Sequence, residues 1–180
     1  MAQLLPREPV PDQTIETLDH GTWKLSEKAG DKFTLMVFYR GLHCPICSGY
    51  LRDLQRHLGD LEERGVSVIA LSSDSEERAR KAKDEWKLDK LTIGHSLSID
   101  DARRWGLYVS SGIGTTSSGV EEPEQFSEPG LFMIRPDGTL YFASIQTMPF
   151  ARPHFDEMVK ALDFVIDRDY PARGEVPLAA

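Results

Sequence analysis

The run Lys32-Phe33-Thr34-Leu35-Met36-Val37-Phe38-Tyr39-Arg40 constrains the fold of this chain most strongly. It is β-branched, aromatic or apolar at nearly every position. Both faces of the strand it predicts must therefore be covered, as in the centre of a sheet with helices above and below. A helical pattern follows at once: Cys47, Leu51, Leu54, Leu58 and Leu61 recur at spacings of three and four, the stripe of a helix packed on a core. Pro45 suits the first helical position, where a missing N–H costs nothing. Cys44 then sits at the N-cap, and Gly65 is expected to stop the helix. Val66-Ser67-Val68-Ile69-Ala70-Leu71 is the next strand, and a strand–helix–strand unit requires parallel pairing.

The rest of the chain continues this alternation. Asp74 and Glu77 read as a capping box opening a charged helix to about Trp86, and Ser98 and Asp101 repeat the signal before a short helix ending near Gly106. The charges from Glu76 to Lys90 form a solvated helix face. Ser110 to Pro129 is rich in Gly, Ser, Thr and Glu and reads as a long, mobile loop. Leu131–Ile134 and Thr139–Ser144 are strands joined by the turn Pro136-Asp137-Gly138. Pro153 opens a final helix with Phe155, Met158, Leu162, Val165 and Ile166 on its apolar stripe. The predicted architecture is α/β: a central mixed sheet with helices on both faces. Residues 1–20 are expected to be an extended lead-in, with a short strand around Trp23-Lys24-Leu25 at the start of a single domain over 21–169. Residues 170–180 are expected to be a tail. Trp23, Trp86 and Trp105 are expected to be packing anchors.

At 180 residues and 40% hydrophobic, the chain suffices for one domain with a full core. Its net charge of −8 argues against nucleic acid and anionic membranes as partners. No apolar run approaches the roughly 20 residues that span a bilayer, and the N-terminus lacks the build of a signal peptide. The expected compartment is the cytoplasm, where cysteines are more often catalytic, redox-sensing or metal-binding than permanent staples.

Those cysteines carry the chemistry. There are two, in the segment Cys44-Pro45-Ile46-Cys47, placed after a buried strand and at the mouth of a helix. The thiolate is the nucleophile, and a helix N-terminus stabilises it through free N–H groups and the helix dipole. Cys44 receives that help most directly and is assigned as the attacking thiol. Cys47, nearly one turn along and facing the core with Leu51 and Leu54, is assigned as the resolving thiol. Arg40 ends the strand beside Cys44 and His43 precedes it, so a positive charge on either would favour thiolate. Inert packing cysteines and half of a zinc site are the competing readings. For zinc, His20, His43, His57, His95 and His154 give no pairing at ligand spacing. Haem attachment needs His after the second cysteine, where Ser48 stands. No cofactor and no metal are expected.

Phe38-Tyr39-Arg40-Gly41-Leu42-His43-Cys44-Pro45-Ile46-Cys47 resembles the strand-to-helix junction of the thioredoxin-like superfamily. It is most similar to the peroxiredoxin-like branch, the alkyl hydroperoxide reductase and thiol-specific antioxidant group. Glu128-Pro129-Gly130-Leu131-Phe132-Met133-Ile134-Arg135-Pro136-Asp137-Gly138 resembles that family's second landmark. The resemblance implies a thioredoxin-like fold over roughly residues 20–168. It implies that Pro129 is a cis-proline packed against the cysteine pair, with the Glu128 backbone free to bind a substrate strand. It implies an oxidoreductase that reduces peroxides or disulfides through Cys44 and Cys47, restored by an external thiol reductant and found as a homodimer. A thioredoxin-type protein disulfide oxidoreductase and a redox-inert binding module are the alternative readings. The chain departs from the family at three places. Gly41 and Val37 stand where a Thr or Ser and a Pro are usual, and Pro129 stands where a second peroxide-binding Arg falls.

Overall fold

A computed structural model describes residues 4–177; Met1–Gln3 of the expected lead-in and Leu178–Ala180 of the expected tail lie outside it. The elements run β1 (Thr14–Thr17), β2 (Gly21–Lys24), β3 (Phe33–Phe38), α1 (Pro45–Arg56), α2 (Leu58–Glu63), β4 (Val66–Leu71), α3 (Glu76–Trp86), β5 (Ile93–His95), α4 (Ile99–Arg104), β6 (Val109–Ser111), β7 (Gln125–Ser127), β8 (Gly130–Ile134), β9 (Leu140–Ile145) and α5 (Phe155–Asp167). Seven strands form one mixed sheet in the order β2-β1-β5-β4-β3-β8-β9. β3 lies near its middle, parallel to β4 and antiparallel to β8, and every residue of β3 is buried, as its two-sided apolar pattern requires.

The pleat of β3 divides the interior. Leu35, Val37 and Tyr39 join a core closed by α1, α2, α3 and α5, which also contains Cys44 and Cys47. Met36 and Phe38 point the other way, into a core with Trp105, Phe132, Ile69 and Ala102 of α4. Trp23, Trp86 and Trp105 are all buried, as expected of packing anchors.

Several sequence expectations change. The single helix from Cys47 to Gly65 is two, broken at His57; Gly65, at φ +71, still ends the second. The charged helix α3 is capped by Ser75, whose side chain accepts from the Arg78 N–H, and not by Asp74. Strand β1 lies within the segment read as a lead-in and joins the main sheet between β2 and β5. β5 has three residues, too few to announce itself by periodicity. The stretch read as a mobile loop is an antiparallel ribbon of β6 and β7, with a further bridge between Thr115 and Glu121. Residues after Tyr170 pack on the body: Ala172 is buried, and its carbonyl accepts from Arg7 Nε at 2.9 Å.

Candidate active site

The site is built where β3 ends and α1 begins. Gly41 makes the turn, at φ +132. A Cβ there would stand 2.7 Å from Asp74 Oδ2, so both the backbone conformation and the close approach require glycine. The hydroxyl residue usual in the family is thus excluded by the path of this chain. Asp74, buried after β4, accepts the Leu42 N–H at 2.6 Å and the Arg78 Nε–H at 2.8 Å. A buried carboxylate with two donors ties the turn before the cysteines to the start of α3.

Cys44 is the N-cap of α1, with Pro45 at the first helical position. Its Sγ accepts the backbone N–H of Cys47 at 3.3 Å. This is what a capping oxygen does at a helix start, and here it satisfies an orphan donor with sulfur. Both thiols are free and buried, with Cys44 1% and Cys47 0% exposed, while Pro45 and Ile46 between them face solvent. The pair therefore lies one residue layer below the surface. The two thiols titrate in opposite directions. Cys44 is held down to about 6, first by hydrogen bonding from the Cys47 side chain, then by the Cys47 N–H, with the charges of Arg152 and Arg40 adding to this; burial opposes the shift. Cys47 is pushed well up by burial and by its neighbour Cys44, against the pull of Arg152. One sulfur is set up to be the thiolate and the other the thiol.

Arg152 is the residue that local sequence signals missed. It lies in the connection between β9 and α5, 105 positions from Cys47, and its Nη2 donates to Cys47 Sγ at 3.1 Å. It is buried, and its guanidinium carbon sits 4.8 Å from the Tyr50 ring centroid. Tyr50 in turn donates its hydroxyl to the Pro153 carbonyl at 2.9 Å, which fastens this connection to α1. No periodicity or motif marks Arg152; only its isolation between apolar and proline residues distinguishes it.

The other expected site residues fall into place differently. Arg40 is close enough to Cys44 to act on it electrostatically, but its charge is shared. Its Nε lies 3.2 Å from Glu128 Oε2, its Nη2 lies 3.6 Å from Glu122 Oε1, and it covers Phe126 at 4.7 Å. His43 is fully buried against Phe126, with ring centroids 4.5 Å apart and neither ring nitrogen hydrogen-bonded. Burial holds its pKa down to about 4, so it is neutral near pH 7 and supplies no charge to Cys44. Pro129 is not a cis-proline: among the described residues no peptide bond is cis. Nor is the Glu128 backbone free for a substrate strand, because its N–H already donates to the Tyr108 carbonyl at 2.8 Å. The Glu128 side chain instead pairs with Arg40 and accepts from Ser110 Oγ at 2.6 Å. The β6–β7 ribbon is held over this end of the sheet by Arg40–Glu122, by Arg78 Nη2 to the Glu121 carbonyl, and by Ser118 Oγ to the His43 carbonyl. Among the described residues no group of His, Cys, Asp and Glu is arranged to hold a metal ion, and no helix is long and apolar enough to cross a membrane.

Comparison with known proteins adds the lineage. The chain is 28% identical over 68 residues to 1-Cys peroxiredoxin B of Oryza sativa, an alignment covering 38% of this chain and 30% of that relative. Among solved structures it resembles peroxiredoxin 6 of Arenicola marina, with a TM-score of 0.69 and 21% identity over 89% of this chain and 72% of that one. It also resembles the 2-Cys peroxiredoxin of Plasmodium vivax, with a TM-score of 0.73 and 16% identity over 94% of this chain and 84% of that one. These likenesses give the fold, the thioredoxin-like sandwich expected from the sequence. Residues 6–143 match the AhpC/TSA family, most of the chain and the whole of the cysteine-bearing junction, and the chain belongs to that family.

Proposed function

We propose that the chain is a thiol-dependent peroxidase. The observation that carries this reading is the Cys44 sulfur at the start of α1. It is hydrogen-bonded by the Cys47 N–H and held down to about 6, beside a second thiol that keeps its proton. At neutral pH Cys44 is then mostly thiolate. That thiolate attacks one peroxide oxygen, the O–O bond breaks, and Cys44 becomes a sulfenic acid as hydroxide or alkoxide leaves. Cys47 attacks the Cys44 sulfur, water leaves, and a Cys44–Cys47 disulfide forms. An external thiol reductant returns both to thiols. The match to the AhpC/TSA family supports the same reading.

Burial favours peroxide over a protein disulfide as the oxidant. Cys44 is 1% exposed, which a molecule of two heavy atoms can tolerate and a protein sulfur cannot. The Glu128 N–H that a docked strand would need is already bonded. The Pro45-Ile46 link between the cysteines is exposed, so a small thiol, unlike a protein sulfur, fits as the reductant. A homodimer and the cytoplasm complete the reading, the latter because turnover needs a reducing compartment.

The test is single-turnover mixing of reduced protein with hydrogen peroxide, followed by mass spectrometry. The expected product is a protein lighter by two hydrogens, its disulfide joining Cys44 and Cys47. Thiols that outlast excess peroxide no less than free cysteine would overturn the reading.

A further inference from the structure

Arg40 and Arg152 both act on the cysteine pair, yet their surroundings differ. Arg40 is neutralised by Glu122 and Glu128. Arg152 has no ion pair with any carboxylate among the described residues; it is 9% exposed, and its Nε and Nη1 have no hydrogen-bond partner. Its one hydrogen bond among the described residues is Nη2 to Cys47 Sγ at 3.1 Å. A buried cation without a counter-ion is costly unless an anion forms beside it. Among the described residues the groups at this contact that can become that anion near neutral pH are the two sulfurs, since burial keeps the Tyr50 hydroxyl protonated.

We propose that Arg152 is a positioning residue for Cys47, holding its sulfur in place and accepting the negative charge when Cys47 becomes the attacking thiolate. The inference rests on the peroxidase reading for the order of events. Before oxidation the negative charge sits on Cys44, and that charge, with the Cys44 hydrogen bond, keeps Cys47 protonated. When the Cys44 thiolate has attacked peroxide, it is an uncharged sulfenic acid, and the repulsion is gone. The guanidinium stays. It now faces Cys47 alone and favours loss of the Cys47 proton. Cys47 sulfur attacks Cys44 sulfur, the S–S bond forms as the S–O bond breaks, and the leaving hydroxide combines with the Cys47 proton as water. Arg152 thus serves the two thiols in turn: while Cys44 holds the charge the guanidinium favours that thiolate, and once that charge is spent it acts on Cys47 alone. Tyr50 is part of the device, since its ring supports the guanidinium and its hydroxyl anchors Pro153 to α1.

The test separates the two chemical steps in the full chain. Reduced wild-type, Arg152→Met and Arg152→Lys proteins are mixed with one equivalent of hydrogen peroxide. Cys44 oxidation is followed by trapping the sulfenic acid with a cyclic 1,3-dione, and closure by the loss of the remaining thiol. In Arg152→Met closure should slow by roughly thirtyfold, the scale of one hydrogen bond to a charged group, while Cys44 oxidation slows by far less. Sulfinic acid at Cys44 should accumulate under excess peroxide, and the pH profile of closure should move to higher pH. Arg152→Lys, which keeps the charge without the fork, should fall between the two and carries the comparison if the methionine variant does not fold. Unchanged closure, or equal slowing of both steps, would overturn the proposal. Closure is also read without peroxide, from a Cys44–glutathione mixed disulfide, as the rate at which Cys47 displaces glutathione. If wild-type Cys44 ignores peroxide but Arg152→Met still releases glutathione slowly, the peroxidase reading fails and the role of Arg152 stands. Equal release from wild type and variant removes that role, whatever the peroxide result.

Discussion

The two cores on either side of β3 are made from alternate residues of one strand, yet they are finished differently. On the side of Met36 and Phe38 the interior is apolar and deeply buried. Phe132 meets Phe38 and Trp105 edge to face, Phe38 and Trp105 are tilted against each other, all with centroids 4.9–5.5 Å apart, and the Trp105 indole N–H finds Gln13 Oε1 at 2.9 Å. On the side of Leu35, Val37 and Tyr39 the side chains are as deeply buried, but the mouth at the β3–α1 junction holds Cys44 and Cys47 with Arg152 and His43 beside them. There His43 and Arg152 keep unpartnered ring and guanidinium nitrogens. Such groups destabilise the fold, and they gather where a chain needs an unusual environment rather than maximal packing. The aromatic core supplies stability, and the mouth of the other core spends some of it to set two thiol titrations apart.

The largest effect that would break this contrast belongs to the cysteine. Cys44→Ser should reduce peroxide consumption below detection while the thermal transition moves little. Cys47→Ser should still consume one equivalent and stop at sulfenic acid. Comparable residual turnover in the two variants would mean the thiols are not differentiated at all. Next comes the aromatic side. Phe132→Ala removes a fully buried ring and should cost about 3–5 kcal/mol in a denaturant melt. The Cys44 titration, followed by thiolate absorbance, should stay where it is; a shift would show that the two cores are not independent.

The third expectation concerns pH. The rate of Cys44 oxidation should fall about tenfold for each unit below its titration near 6, because only thiolate reacts. Stability should follow with a definite sign. His43 is held down to about 4 from 6.5, so the unfolded chain binds the extra proton between those values and stability rises with pH across them. Cys44, held down to about 6 from 9.0, extends the rise over that window; its contribution is complete above 9.0 and lost as pH falls through 6. Cys47, raised, acts oppositely above 9.0. Denaturant midpoints that are flat from pH 4 to 9 would contradict both titrations. The smallest effect is that of Arg40→Gln. It should raise the Cys44 titration by less than Arg152→Gln does, since the charge of Arg152 weighs more on Cys44 and that of Arg40 is already matched by Glu122 and Glu128.

Whatever contiguous residues can specify is legible in the chain. The β3 run names a central strand because consecutive apolar side chains project to both faces. Pro45 and the following leucines fix where α1 starts, and so put Cys44 at a helix N-terminus, which is enough to assign it as the thiolate of the two. Ser98 capping α4 through the Asp101 N–H at 3.0 Å, and the Asp137-Gly138 turn between β8 and β9, were legible for the same local reason. The rest follows from contacts between residues distant in the chain. β1 and β5 are short strands that exist because neighbours supply their hydrogen-bond partners. The composition of the 110–129 stretch predicts a mobile loop, yet it is a ribbon because arginines from β3's end and from α3 pin it. His43 looked like a charge beside Cys44 and is a neutral buried ring, because Phe126 arrives from the far end of that ribbon. Arg152 reaches Cys47 across 105 residues. No local rule could place it there, since that contact is set by the path of the connection between β9 and α5 and not by any neighbour in sequence.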